Sequence, residues 1–117
     1  MIIDYENNKI EKFFSNWEHT AKKCGFETAK LIKKRFEQIK ASADIDVFYS
    51  LGIGKPHLLK GDMTGCLGIS ITGNLRLILI IKDYSPKKSL TEIFKTNHLT
   101  IKGVCDYHGD KYEWIIP

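Results

Sequence analysis

The chain has 117 residues, 43% of them hydrophobic, and a formal net charge of +4 from 18 Lys and Arg against 14 Asp and Glu. These values predict one compact soluble domain over residues 1–117, because two domains would each be too small to bury a stable core. The longest apolar run, 75–81, is far shorter than the roughly 20 residues of a membrane-spanning helix. A transmembrane role is therefore excluded, and no membrane partner is expected.

The beginning of the chain and its cysteines predict a cytoplasmic location. Residues 1–6 lack the basic and apolar regions of a secretory signal. Cys24, Cys66 and Cys105 are odd in number and widely spaced, which is typical of reduced thiols rather than a disulfide framework. Cys105 and His108 form a C-x-x-H pair, but a structural zinc site usually has a second close ligand pair. We expect no metal and no cofactor.

The first half of the chain predicts a strand followed by a helical hairpin. Residues 1–5 are rich in strand-forming side chains. Apolar residues at three- and four-residue spacing then predict a helix from Asn8 to about Lys23, with Gly25 as its stop. The same spacing from Ala29 to Ala43 predicts a second helix, and the short link makes the pair antiparallel.

The second half predicts a sheet. Asp44 begins a segment that fits a capped single turn, and glycines punctuate the chain that follows. Residues 66–72 and 75–82 read as two strands joined by a two-residue turn at Gly73 and Asn74. That turn places Ile71 opposite Arg76 and puts Ile69 and Leu67 on the face of Ile78 and Ile80. Both faces of this hairpin are apolar, so we expect it to be central in its sheet.

The remaining chain completes an α+β fold. Residues 83–98 predict a surface excursion with one helical turn at 90–94, and residues 99–107 and 111–116 predict two further strands. The predicted architecture is an N-terminal strand and an antiparallel two-helix hairpin packed on a mainly antiparallel sheet of about four or five strands.

Polar residues that the strand and loop patterns do not require form three blocks. They are 57–62 (His-Leu-Leu-Lys-Gly-Asp), 73–76 (Gly-Asn-Leu-Arg) and 106–109 (Asp-Tyr-His-Gly). Arg76 interrupts an apolar strand face, so we expect it at an open end of that face, pointing into a cleft. A separate run, Lys33, Lys34 and Arg35, suggests a basic helix surface that follows a phosphate backbone, although a solvated helix face produces the same pattern.

These blocks resemble the H-x-L-K-G-D, G-N-x-R and D-Y-H motifs of the HigB branch of the RelE/ParE toxin superfamily. No single motif is specific, but three in the same order and spacing are informative together. The resemblance implies a RelE-like fold and a ribosome-dependent mRNA endoribonuclease, the toxin of a type II toxin–antitoxin system. Its implied partners are a HigA-like helix-turn-helix antitoxin, the decoding site of the ribosome, and mRNA.

The implied reaction is metal-independent attack of a 2′-hydroxyl on the adjacent phosphate. It needs a base, an acid and cations for the charge on phosphorus. An imidazole exchanges protons at physiological pH, so His57 and His108 are candidates for base and acid, in an order that the sequence leaves open.

The other expected site residues bind the substrate. Arg76 and Lys60 are expected to neutralise phosphate oxygens, and Lys55 to make a flanking phosphate contact. Tyr107 can stack on a base, and Asp106 can orient an imidazole or accept the proton.

The sequence leaves two other functions open, and it departs from the family pattern at two places. A ParE-like inhibitor of DNA gyrase would have the same fold, and a degenerate member would retain only antitoxin or RNA binding. Leu75 stands where the family often has an aromatic residue. Residues 83–98 and 109–117 exceed the length of many relatives, and the second segment could narrow the cleft, add an edge strand or form a dimer surface.

Overall fold

A computed structural model describes residues 1–109 and 111–117. Its helices are α1 (Asn8–Ser15), α2 (Trp17–Cys24), α3 (Phe26–Ala41), α4 (Ile45–Ser50) and α5 (Leu90–Phe94). Its strands are β1 (Ile2–Tyr5), β2 (His57–Leu58), β3 (Cys66–Thr72), β4 (Leu75–Ile81), β5 (His98–His108) and β6 (Lys111–Ile116). No helix in these ranges is long and apolar enough to cross a bilayer. The α+β class is confirmed.

The prediction of one helix from Asn8 to about Lys23 is wrong, because the chain breaks at Asn16. The backbone of Asn16 is extended, and its side chain accepts a hydrogen bond from the backbone N–H of His19. An Asn side chain competes with the helix for backbone donors, so this residue ends α1 and caps α2. Thr20 stabilises the junction, since its buried hydroxyl donates to the carbonyl oxygen of Phe13.

The other predicted helices are present, although α3 spans Phe26–Ala41 and thus begins before Ala29 and ends before Ala43. α2 and α3 pack against each other and are joined by Gly25 alone. The short helices carry the caps that their sequences indicate. The Asp44 side chain accepts from the Val47 N–H at the start of α4, and Ser89 and Glu92 form a capping box on α5.

The strands of the described residues form one mixed sheet in the order β1-β5-β4-β3-β2, with β6 also paired to β5. β1 runs parallel to the first part of β5, whereas β6 runs antiparallel to its last part. Since β4 occupies one edge of β5, β1 and β6 follow each other along the opposite edge. The sheet is mainly antiparallel, as predicted, but it has six strands and one parallel pair.

The predicted register of the central hairpin is wrong by one residue. Arg76 lies opposite Ser70, not opposite Ile71, because the pairing shifts between Ser70 and Thr72. The extra residue, Ile71, is a β-bulge. The shift moves Leu67 and Ile69 away from the face of Ile78 and Ile80.

The sheet consequently has two different faces. One face is covered by the helices and carries the main core; its strand residues include Leu67, Ile69, Leu77, Leu79, Ile81, Leu99, Ile101 and Val104. The other, which we call the open face, carries a smaller cluster of Met63, Cys66, Ile78 and Cys105. Leu59, Ile80, Tyr107 and Tyr112 pack around this cluster. The segment between β2 and β3, which carries Leu59 and Met63, therefore covers part of the open face.

Candidate functional site

A cleft of about 410 Å³ lies where α3, the loop before β2 and the β3–β4 turn meet. Its lining residues are Arg35, Gly52, Gly54, Lys55, His57, Ser70, Gly73 and Arg76. Four predicted site residues, Arg35, Lys55, His57 and Arg76, are thus brought together, although they lie up to 41 positions apart in the chain. No carboxylate is part of this described lining, so the cleft is electropositive.

Gly54 allows the loop to approach β3 closely enough to form the cleft. Its carbonyl oxygen accepts a hydrogen bond of 2.7 Å from the Ser70 N–H. A Cβ atom at position 54 would lie 2.6 Å from Ile69 Cγ2, and its φ is +71°. Only glycine meets both requirements, because it has no Cβ atom and readily adopts a positive φ. Gly54 therefore lets the loop before β2 lie directly against β3.

Arg35 reaches into the cleft from α3. Its Nε donates to the Ser70 carbonyl oxygen at 2.9 Å, and its Nη1 donates to Gln38 Oε1 at 2.8 Å. Burial lowers the pKa of Arg35, but a guanidinium keeps its proton at neutral pH. Lys33 and Lys34 are exposed on α3 outside the cleft, so the predicted basic run is divided between two surfaces.

Arg76 lines the cleft from β4. Its Nη1 donates to the Gly73 carbonyl oxygen at 2.8 Å and to the Leu75 carbonyl oxygen at 3.1 Å. These two bonds hold the side chain against the β3–β4 turn. Within residues 1–109 and 111–117 its Nε and Nη2 make no hydrogen bond, and these are the donors that remain for a ligand.

His57 is exposed on β2, directly opposite Gly68. Its Nδ1 lies 3.1 Å from the carbonyl oxygen of Lys55. Because a carbonyl oxygen only accepts, this bond requires the proton on Nδ1 and leaves Nε2 as the acceptor of a neutral ring. The ring is therefore arranged to take a proton at Nε2.

Lys55, which supplies that carbonyl, has a φ of +43°. Non-glycine residues seldom adopt this left-handed conformation, and such strain is concentrated at functional sites. The residue after it, Pro56, is buried and leads the chain into β2.

None of the residues 106–108 lines the cleft. Successive strand residues point to opposite faces, so Asp106 and His108 share one face and Tyr107 lies on the other. Asp106 Oδ1 and His108 Nε2 are 3.3 Å apart. Tyr107 packs on Tyr112, with ring centroids 5.7 Å apart, and burial raises its pKa while the charge of Arg76 acts in the opposite sense.

Lys60 is exposed beside a 3-10 turn at Gly61–Met63 and is also outside the cleft. The sequence missed Ser70 and Gly54 as cleft residues. Ser70 had a signal, because it is the one hydroxyl between the isoleucines of an apolar strand.

The described residues contain no group of three His, Cys, Asp or Glu side chains that could hold a metal ion. Cys105 lies on the open face and His108 on the opposite side of β5, so the two are not arranged as a ligand pair. Burial raises the pKa of Cys105 to about 12 and also raises the pKa of Cys66, so both thiols stay protonated at neutral pH.

No protein-family model and no curated protein matches the chain. Among solved structures, a YoeB-YefM complex from Staphylococcus aureus contains a chain that is 21% identical, with a TM-score of 0.54. A heterotetrameric complex of the YoeB-YefM toxin-antitoxin from the same organism contains a chain that is 24% identical, with a TM-score of 0.51. Each match covers 92% of this chain and 97% of the other. The likeness shows that the chain has the RelE-like fold of these proteins.

Proposed function

We propose that this protein is a HigB-type toxin of a type II toxin–antitoxin system, and that it cleaves mRNA on the ribosome. The observation that carries the proposal is the cleft in which His57 lies beside Lys55, Arg35 and Arg76. The fold is shared with chains of a toxin–antitoxin complex, which supports the class and an antitoxin as partner. The antitoxin that we propose is HigA-like.

The charges of the cleft suit a nucleic-acid backbone. Arg35, Lys55 and Arg76 give it three cations, and two of them are guanidinium groups, which bind phosphate through two donors at once. Arg35 is already fixed by its bonds to Ser70 and Gln38, so little side-chain entropy is lost when an anion binds.

We assign the first proton transfer to His57. Its Nε2 accepts the proton of the 2′-hydroxyl while the 2′-oxygen forms a bond to phosphorus. The bond from phosphorus to the 5′-oxygen breaks, that oxygen takes a proton from water, and the resulting hydroxide takes the proton back from His57. The products are a 2′,3′-cyclic phosphate and a 5′-hydroxyl. Arg76 stabilises the added negative charge on the phosphoryl oxygens in the transition state.

The predicted residues outside the cleft have other roles in this proposal. Lys33 and Lys34 provide a basic surface for ribosomal RNA. Lys60 and Tyr107 contact the message beyond the scissile phosphate, and Asp106 orients His108 for a further RNA contact at the end of β5.

Induced expression with mapping of transcript 5′ ends tests the function. We expect growth arrest and new 5′ ends within translated messages, and about 100-fold slower cleavage by His57→Ala and by Arg76→Ala. Lys95→Ala, which removes an exposed cation directly after α5, is the matched control and should cleave normally.

Two results would contradict the proposal. Intact messages and normal growth after induction would remove the nuclease. Inhibited DNA supercoiling with intact mRNA would instead favour a ParE-like inhibitor of gyrase.

A further inference from the structure

A second depression, of about 540 Å³, adjoins the cationic cleft. Its lining residues are Tyr49, Gly52, Lys55, Pro56 and His57, of which Gly52, Lys55 and His57 also line the cleft. The two spaces are therefore continuous at the proposed base, His57. The two spaces differ in chemistry. The depression is lined by the aromatic ring of Tyr49 and the aliphatic ring of Pro56, whereas the cleft is lined by the guanidinium groups of Arg35 and Arg76.

Tyr49 is held in place but exposed. The neighbouring residue on α4, Phe48, is buried with 1% of its surface accessible, and the side chain of Asp44 caps the start of the helix. One side of the Tyr49 ring packs on Phe94, with centroids 5.4 Å apart and planes inclined by 55°. Tyr49 nevertheless keeps 52% of its surface accessible. A fixed ring with a free surface is suited to stack on a flat ligand.

The position of this ring next to the cationic cleft identifies the kind of ligand. A nucleotide combines a flat ring with a phosphate at short distance, and single-stranded nucleic acids bind through cations along the backbone and stacking on aromatic side chains. An apolar peptide would fit the Tyr49 depression alone, but it would leave the adjoining cations without a counter-charge.

We propose that the Tyr49 depression is a nucleobase subsite, in which a base of single-stranded RNA stacks on Tyr49 while its phosphate lies in the cleft. The proposal rests on the function proposed above and extends it, since Tyr49 becomes a residue that positions the message and influences base preference. Stacking tolerates every base and is strongest for purines, so the subsite favours purines modestly.

The test uses ribosomes programmed with a message that carries the fluorescent purine analogue 2-aminopurine at each decoding-site nucleotide in turn. A 2′-O-methyl group blocks cleavage, and the full chain is titrated in. We expect the wild-type protein to quench the emission at one position. Tyr49→Phe should keep the quenching, whereas Tyr49→Leu should lose it and bind at least about 5-fold more weakly.

Phe26→Leu is the matched control, because Phe26 is another exposed aromatic residue, with 71% of its surface accessible, and lines neither space. It should behave as the wild type. Unchanged quenching and affinity in Tyr49→Leu, with binding weakened by Arg76→Ala, would overturn the subsite and leave the nuclease standing. Failure of the wild-type protein to bind programmed ribosomes would overturn both.

Discussion

The two faces of the sheet are built from the same strands but have different chemistry. On the helix-covered face, Leu77, Leu79 and Ile101 are completely buried among apolar side chains. On the open face, the cluster is small and includes two thiols, and it is bordered by tyrosines and by charged groups such as Lys102, which pairs with Glu6. β4 contributes to both, since Arg76 alternates with Leu77.

This difference separates stability from binding. Burial of apolar area on the helix side stabilises the fold, and it leaves the opposite side and the end of the sheet free to carry polar groups with unused donors. The cleft lies at that end, where Arg76 is the second residue of β4 and pairs with Cys105 of the open face. Substitutions on the two faces should therefore affect different measurements.

The largest effect on stability is expected for Leu79→Ala. Leu79 is fully buried under the helices, so the substitution removes transfer free energy and leaves a cavity, at a cost of about 2–5 kcal/mol. Ile80→Ala, one residue later and on the half-buried open face, should cost about 1 kcal/mol. Guanidinium unfolding measures both, and equal losses would show that the faces do not differ as described.

Gly103→Ala should loosen β6 while β3 and β4 remain intact. Gly103 has a φ of +152°, and a Cβ there would lie 2.1 Å from the carbonyl oxygen of Ile116 and 3.1 Å from the Trp114 ring. β6 must then move, at a cost of about 2 kcal/mol. Hydrogen exchange should quicken in β6 and stay slow in β3 and β4, whereas uniform acceleration would contradict this separation.

The smallest effect concerns Asp4, which lies at the edge of the open face. Its carboxylate accepts hydrogen bonds from Thr100 and His98, and these bonds lower the pKa of Asp4, the Thr100 bond most. Because the pKa of Asp4 is lower in the folded state than in the unfolded state, the ionised carboxylate stabilises the fold at pH values above the usual carboxyl pKa. This stabilisation is lost as the pH falls through the lowered pKa.

Asp4→Asn should accordingly reduce the free energy of unfolding by less than about 1 kcal/mol at pH 7, and the difference from the wild type should vanish in acid. Glu37→Gln, at an exposed carboxyl on α3, is the control. A difference that persists at pH 2 would mean that the Asp4 charge is not its source.

Short-range signals explain what the sequence predicted well. Asp44 and Ser89 cap their helices through contacts three residues away, and Gly73 and Asn74 form the turn between β3 and β4. The site motifs indicated His57 and Arg76, which do share a cleft.

Predictions from the sequence failed where two alternative structures are close in energy, or where the residues that come together are distant in sequence. Asn16 interrupts an unbroken apolar stripe, which periodicity alone reads as one helix. The hairpin of β3 and β4 is apolar on both faces. The register with a bulge at Ile71 and the register without it therefore both pair apolar side chains, and the sequence pattern does not distinguish them. Tyr49 belongs to no motif, and only the folded chain brings it beside His57.

The parallel pairing of β1 with β5 sets an order on folding. Ile2 pairs with His98, so β1 has its partner strand 96 residues later in the chain. Closing such a loop is entropically costly, and folding slows as contacts become more distant in sequence. During synthesis, the early helices and the β3–β4 hairpin form before β1 has anything to pair with. Docking of β1 is thus a late event, and a nascent chain completes its sheet only after β5 has been synthesised.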